Sequence, residues 1–189
     1  MKGKVLAAVV ISLMLITGIA IANTGAMARG PPKQGPPGDN IVDVAIEINE
    51  ETGEFAILLA AVSETPKVLE ILSGNGQHTV FAPTDEAFEA LADELDLELS
   101  ELIDFLLDNP DYLEDVLLYH IANGRLYAED VVEKEQINTL RRGRDGFLMQ
   151  DEGVLTDNLD RDAEIIATDV EAANGIIHVI DAVVLPYLP

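Results

Sequence analysis

The sequence predicts an α+β domain with its helices ahead of its strands. Three observations carry that expectation. Helix-starting signals (Thr65-Pro66, Thr84-Asp85-Glu86 and Asn109-Pro110) crowd the chain up to Leu118. Apolar and β-branched runs separated by turn residues fill the part that follows. Asn174-Gly175, a strong short hairpin signal, stands among them. Helices clustered before strands are the pattern of an α+β architecture.

Each element has its own local reason. Positions 41, 42, 44–46 and 48 are apolar, too dense for a surface helix, so residues 40–48 read as a short buried one. Residues 55–62 form a second apolar helix. Thr65 as N-cap and Pro66 at the first helical position start a third, which Ser73-Gly74-Asn75-Gly76 ends. Residues 79–82 read as a strand that stops at Pro83, which has no N–H to give a ladder. Thr84 caps the next helix, with Asp85 and Glu86 in a first turn where the helix dipole favours anions. Ser100 opens a helix over 101–107, and Asn109-Pro110 one over 111–118. Residues 119–121 read as a strand, and 137–140, 147–150, 153–156 and 163–170 are further strand candidates. At Asn174-Gly175 both turn residues are expected to take positive φ. Alternation beyond it sends Ile177 and Val179 inward and His178 to the other face.

Composition narrows function. Among 189 residues, 48% are apolar, enough for a core, and the net charge is −24. Such acidity excludes a general nucleic-acid binder and argues against docking on anionic lipid. With no Cys there are no disulfides, thiolate metal sites or catalytic thiols. Residues 1–28 hold Lys2 and Lys4, an apolar run over 5–22, and Ala26-Met27-Ala28, the layout of a signal peptide. The apolar run is also long enough to serve as an uncleaved membrane anchor. Both readings place the rest of the chain outside the cell, with membrane contact only if that segment is retained. Residues 29–38 read as a Pro/Gly-rich linker, and 39–189 as the domain.

Catalytic signatures are scarce. No G-x-S-x-G, H-E-x-x-H or Gly-rich phosphate loop occurs. A carboxylate-based hydrolase remains open, because any two of 35 acids satisfy a spacing rule. Asp157, Asp160, Asp162 and Glu164 offer hard oxygens to calcium, or form a solvated acidic turn.

Three blocks carry a resemblance. They are residues 79–88 (Thr-Val-Phe-Ala-Pro-Thr-Asp-Glu-Ala-Phe), residues 117–121 (Leu-Leu-Tyr-His-Ile) with Asn123-Gly124, and residues 174–186, from Asn174-Gly175 through His178 and Asp181. In order and spacing they resemble a fasciclin domain over about residues 40–186. The resemblance implies a wedge-shaped β-sandwich with helices packed at one side. It implies a secreted or surface-anchored adhesion module, not typically an enzyme, with no cofactor and with an extracellular protein or an envelope or matrix component as partner. An acidic, calcium-assisted surface-binding protein is the alternative. Thr79, Phe81, Pro83, Thr84, Asp85, Phe88, Asn174, Gly175, His178 and Asp181 read as framework, with Phe88 packing back on Phe81. The resemblance links the Tyr119-His120 region to integrin contact in animal members; burial of both side chains is the competing reading. Arg141, Arg142 and Arg144 form a basic loop in a chain poor in bases. It is either a solvated loop or a clamp for an acidic surface, within the chain or between chains. Oligomeric state is not readable from these features.

Residues 29–189 carry 35 acids against nine bases, −26. Residues 68–124 contain no Lys or Arg. Self-repulsion of that size destabilises a compact state unless it is screened. Added NaCl is therefore expected to raise the melting temperature; a flat or falling melt up to molar salt contradicts this.

Overall fold

The computed structural model describes residues 38–143 and 145–188. The expected signal segment, all of the linker but Gly38, and Arg144 lie outside the described residues. Among the described residues, six helices precede most of the sheet: α1 (Ile41–Thr52), α2 (Ala56–Ser63), α3 (Pro66–Leu72), α4 (Asp85–Glu94), α5 (Leu99–Asp108) and α6 (Pro110–Tyr119). Strand β1 (His78–Pro83) falls between α3 and α4. After α6 come β2 (Ile121–Asn123), a short α7 (Ala128–Val132), β3 (Gln136–Asn138), β4 (Phe147–Asp151), β5 (Val154–Thr156), β6 (Asp162–Ala172) and β7 (Gly175–Ile180).

The seven strands form one sheet in the order β2-β1-β7-β6-β5-β4-β3. β1 and β7 pair in parallel; the other pairs are antiparallel. An Ala122–Thr139 bridge and a bond from Leu140 N to Ile121 O (2.6 Å) draw the two outer strands together. The sheet therefore wraps nearly into a barrel, and the domain has the expected α+β wedge.

Two cores follow from that curvature. One side chain from every strand fills the inside of the wrap: Phe81, Ala122, Ile137, Leu148, Leu155, Ala163 and Ile180, with Tyr119, Val131 and Val184 joining them. The opposite face of β1 and β7, carrying Val80, Ala82, Ile177 and Val179, packs under the helices. Period-two alternation thus feeds both cores, and every residue of β7 is buried. The face to which His178 alternates is itself interior. Phe81 and Phe88 belong to different cores, so Phe88 does not pack back on Phe81. Phe81 instead stacks on the His178 ring, centroids 5.7 Å apart.

Several boundaries differ from the sequence reading for local reasons. Tyr119 ends α6 instead of opening a strand, and His120 is its C-cap. α1 runs 12 residues and buries only Ile41 and Ala45, so it is a half-exposed covering helix. Ser100 caps nothing: α5 begins after Glu98, whose N–H donates to Glu101 Oε2 (3.1 Å). Pro66 does open α3, but the Thr65 hydroxyl donates back to Ala61 O (2.9 Å) and ties α3 to α2.

The Asn174-Gly175 hairpin joins β6 to β7, with Ala172 opposite Gly175. Its tip is Ala173-Asn174, and neither Asn174 nor Gly175 has positive φ. The two residues are there for other reasons. Asn174 Oδ1 accepts from Ile41 N (2.8 Å), and Nδ2 donates to Leu72 O and to Gly74 O (2.9 Å), so one buried amide fixes α1, α3 and the hairpin. A Cβ at Gly175 would overlap the His78 carbonyl oxygen and come 2.6 Å from Ile41 Cδ1. Gly175→Ala is expected to cost about 3 kcal/mol, since the His78 carbonyl is backbone of the paired strand and cannot turn aside. Denaturant unfolding checks this, and an unchanged midpoint refutes it.

Candidate functional site

The first motif fastens segments together. Thr79 Oγ1 donates to Gly124 O and accepts from Leu126 N, both 2.8 Å, holding the link out of β2 against β1. Thr84 Oγ1 accepts from Ala87 N (3.2 Å) and caps α4, as its sequence predicts. Asp85 does more than favour its own helix. Its carboxylate accepts from Ile57 N (2.9 Å) and Ala56 N (3.3 Å), capping α2, whose own N-cap Phe55 has no side chain to do so. Pro83 ends β1, and Asp181 Oδ1 accepts from Glu164 N (2.7 Å).

Tyr119 and His120 lie inside the domain, 0% and 3% exposed. The Tyr119 hydroxyl donates to Phe147 O (2.7 Å), joining α6 to β4. Burial, and after it the Asp157 charge, holds its pKa well above the usual phenol value. His120 Nδ1 meets Val116 O at 2.7 Å and Nε2 accepts from Val184 N at 3.3 Å, so the neutral ring donates on one side and accepts on the other. Burial pushes its pKa down to about 4; Val116 O and Asp157 oppose the shift, and Arg161 adds to it. His178 is wired the same way, Nε2 to Leu126 O (2.8 Å) and Nδ1 from Asp169 N (3.3 Å), and burial lowers its pKa too.

The basic loop divides. Arg141 is largely covered: its guanidinium lies over the Tyr187 ring (5.2 Å), and it bonds Asp115 Oδ2 (3.4 Å) and Asp145 O (3.3 Å). It clamps an acidic surface of its own chain. Arg142 is exposed and has no ion pair among the described residues. Arg144 lies outside them. Beside this loop stands an aromatic ledge that sequence reasoning missed. Tyr187, 40% exposed, packs edge-on against Tyr112 at 5.2 Å, and Tyr112 packs against Phe105 at 5.8 Å. Tyr112 OH donates to Tyr187 O (3.0 Å), and Tyr187 OH to Asp115 (3.3 Å). Exposed Leu107 lies on α5 with Phe105, and exposed Leu188 follows Tyr187. The residues are scattered over positions 105–188, so no local signal announces them.

The acidic turn is committed internally. Asp157 is buried and accepts from Arg161 Nη2 (2.6 Å) and Nε (3.0 Å), and from the amides of Leu159, Arg161 and Leu185. Among the described residues, no three of His, Cys, Asp and Glu are grouped to hold a metal, so Asp157, Asp160, Asp162 and Glu164 do not form a cluster. Cavities are small. One of about 30 Å³ under α1–α3 is lined by aliphatic side chains and His120, and one of about 70 Å³ adjoins Arg161. Small-molecule sites usually need roughly 300 Å³ or more.

Comparisons with known proteins agree on the family. The fasciclin domain model matches residues 53–186. Protein sll1483 of Synechocystis is 35% identical over 75% of this chain and 72% of its own length. The transforming growth factor-beta-induced protein ig-h3 of Sus scrofa is 34% identical over 78% of this chain but 20% of its own. Among solved structures, a FAS1 domain pair from the insect cell adhesion molecule fasciclin I aligns with TM-score 0.60 at 19% identity, covering 79% of this chain and 51% of that one. That last likeness speaks to the fold.

The wiring of His120 sets a pH dependence. Its folded pKa, about 4, lies below the ordinary 6.5, so between those values the unfolded chain binds a proton that the native state refuses. This contribution is full above pH 6.5 and is lost as pH falls toward 4. Between these limits His120→Gln, which cannot titrate, is expected to show a shallower loss of stability than the parent; parallel slopes contradict the assignment.

Proposed function

We propose that this chain, which belongs to the fasciclin domain family, is an exported, non-catalytic contact module acting at the cell surface or in extracellular material. Export rests on the signal-like residues 1–28. A contact role is supported by membership of the fasciclin domain family, shared with the transforming growth factor-beta-induced protein ig-h3.

The observation that carries the reading is the ledge. Exposed Tyr187 is held by its hydrogen bonds and by the largely covered Arg141 guanidinium against its ring, with exposed Leu188 and Arg142 following in the chain. Aromatic residues and Arg anchor protein interfaces because they present large, stiff contact area with a polar tip. The ledge is held rigid before any partner arrives, which lowers the ordering cost of binding. Tyr119 and His120 support contact indirectly, by fixing the end of α6 from which Asp115 reaches Arg141 and Tyr187.

Surfaces coated with the full chain, probed with cell-envelope preparations, test this. The pair Arg142→Glu and Tyr187→Ala is expected to cut retention at least about tenfold while leaving the melting temperature within a few degrees. Tyr119→Phe, which removes one buried hydrogen bond worth about 1 kcal/mol, is expected to lower stability and leave retention intact. Retention lost in Tyr119→Phe and kept in the ledge variants reverses the assignment.

A further inference from the structure

Three Asn-Gly steps occur in the chain, at 75–76, 123–124 and 174–175. In such a step the glycine amide nitrogen can attack the Asn side-chain carbonyl carbon, because glycine has no Cβ to hinder the approach. The new C–N bond closes a five-membered succinimide. The bond to the side-chain NH2 breaks, and ammonia leaves with the proton released by the glycine N–H. Water then opens the ring on one side or the other, giving aspartate or isoaspartate. No oxidant or cofactor is consumed. The step needs an unengaged Asn amide, an unengaged glycine N–H and room for the backbone to turn on itself.

The fold closes two of the three. Asn174 is fully buried with both amide atoms bonded, and Gly175 is wedged between His78 and Ile41. Asn123 is the last residue of β2, opposite His78, and the Gly124 N–H is held by Gln77 O at 2.8 Å. Asn75 and Gly76 lie exposed in the turn between α3 and β1. Among the described residues, the Gly76 N–H enters no backbone bond of that turn, unlike Gly74 N (to Ile71 O) and His78 N (to Asn174 O) on either side. An imidazole also stands beside this step. His78 Nε2 lies 2.5 Å from where a Cβ on Gly76 would be, and its Nδ1 is buried without a hydrogen-bond partner.

We propose that Asn75-Gly76 is a self-modifying site, at which the His78 imidazole takes the Gly76 amide proton and Asn75 converts to aspartate and isoaspartate. Burial keeps the His78 pKa below the ordinary imidazole value, against a smaller opposing pull from the Ala122 backbone, so the ring is a neutral acceptor at pH 7. The product adds a negative charge to a strongly acidic chain. As isoaspartate it also lengthens the backbone of the turn that presents Gly74 O to Asn174. The modification therefore reaches the amide that fixes α1 and α3 to the hairpin.

The full chain held in warm neutral buffer, sampled over weeks, tests this by peptide mass mapping and enzymatic methylation of isoaspartate. Conversion at Asn75 is expected to run at least about tenfold ahead of Asn123 and Asn174. Gly76→Ala is expected to slow it by a similar factor, because the added methyl hinders the attacking nitrogen, while the fold need only shift the His78 ring to admit it. His78→Gln is expected to slow it several-fold, with native-state melting checked in parallel to show that the turn has not opened. No conversion at Asn75, or conversion at Asn123 keeping pace with it, overturns the site. An unchanged rate in a folded His78→Gln variant overturns the imidazole's part.

Discussion

The parallel pairing of β1 with β7 is the constraint around which the domain is arranged. Six consecutive residue pairs, His78–Gly175 to Pro83–Ile180, join segments about a hundred residues apart. A parallel pair requires a crossover, and here the crossover is most of the domain: four helices and five strands. Both faces of the pair are covered. Each buried Ile, Val or Phe contributes roughly 1.5–3 kcal/mol, and alternation divides them between a helix-side core and the inside of the wrapped sheet. Shifting the pairing by one residue would exchange the two sets. Gly175 and Asn174 at the start, with Thr84 N bonding Ile180 O at 3.3 Å at the end, hold the register at both ends of the pair.

A pair buried on both sides leaves no water for polar groups, and the buried polar residues answer that need. Thr79, His120, Asn174, His178 and Asp157 each bond backbone groups of segments distant in sequence. An unmet buried donor or acceptor costs about 1–3 kcal/mol, so each of these side chains is a structural tie whose loss exceeds that of one bond. The same reasoning separates Tyr119-His120 from the surface. Their polar tips point at Phe147 O, Val116 O and Val184 N, and their effect on a partner is carried by the helix end that they hold.

Features set by neighbours in sequence were legible from it. Thr84, Pro66 and Pro110 mark helix starts because caps and first-turn prolines act within three residues. Features set by distant neighbours were not legible. α7 has five residues, and its first N–H is capped by Asp169 Oδ1 at 2.8 Å, 41 positions away. Asn174-Gly175 read as a turn that needs positive φ, whereas the residues are required by Ile41, Leu72 and His78. Tyr119 carries strand-like neighbours on one side only, and the α6 helix claims it. The Tyr112–Tyr187 ledge brings together two tyrosines 75 positions apart, beyond any window of local pattern.

The bridge between Ala122 and Thr139 bears on the protein's behaviour at high concentration. Because the outer strands β2 and β3 meet there, and Leu140 N bonds Ile121 O, the two end strands of the sheet are joined to each other and do not stand as free edges. Strand addition at either of these two ends would have to displace the contact between them. Fibril growth from β2 or β3 would begin by parting this seam. Aggregation through these two strands would therefore follow the local opening of β2 from β3, without requiring global unfolding.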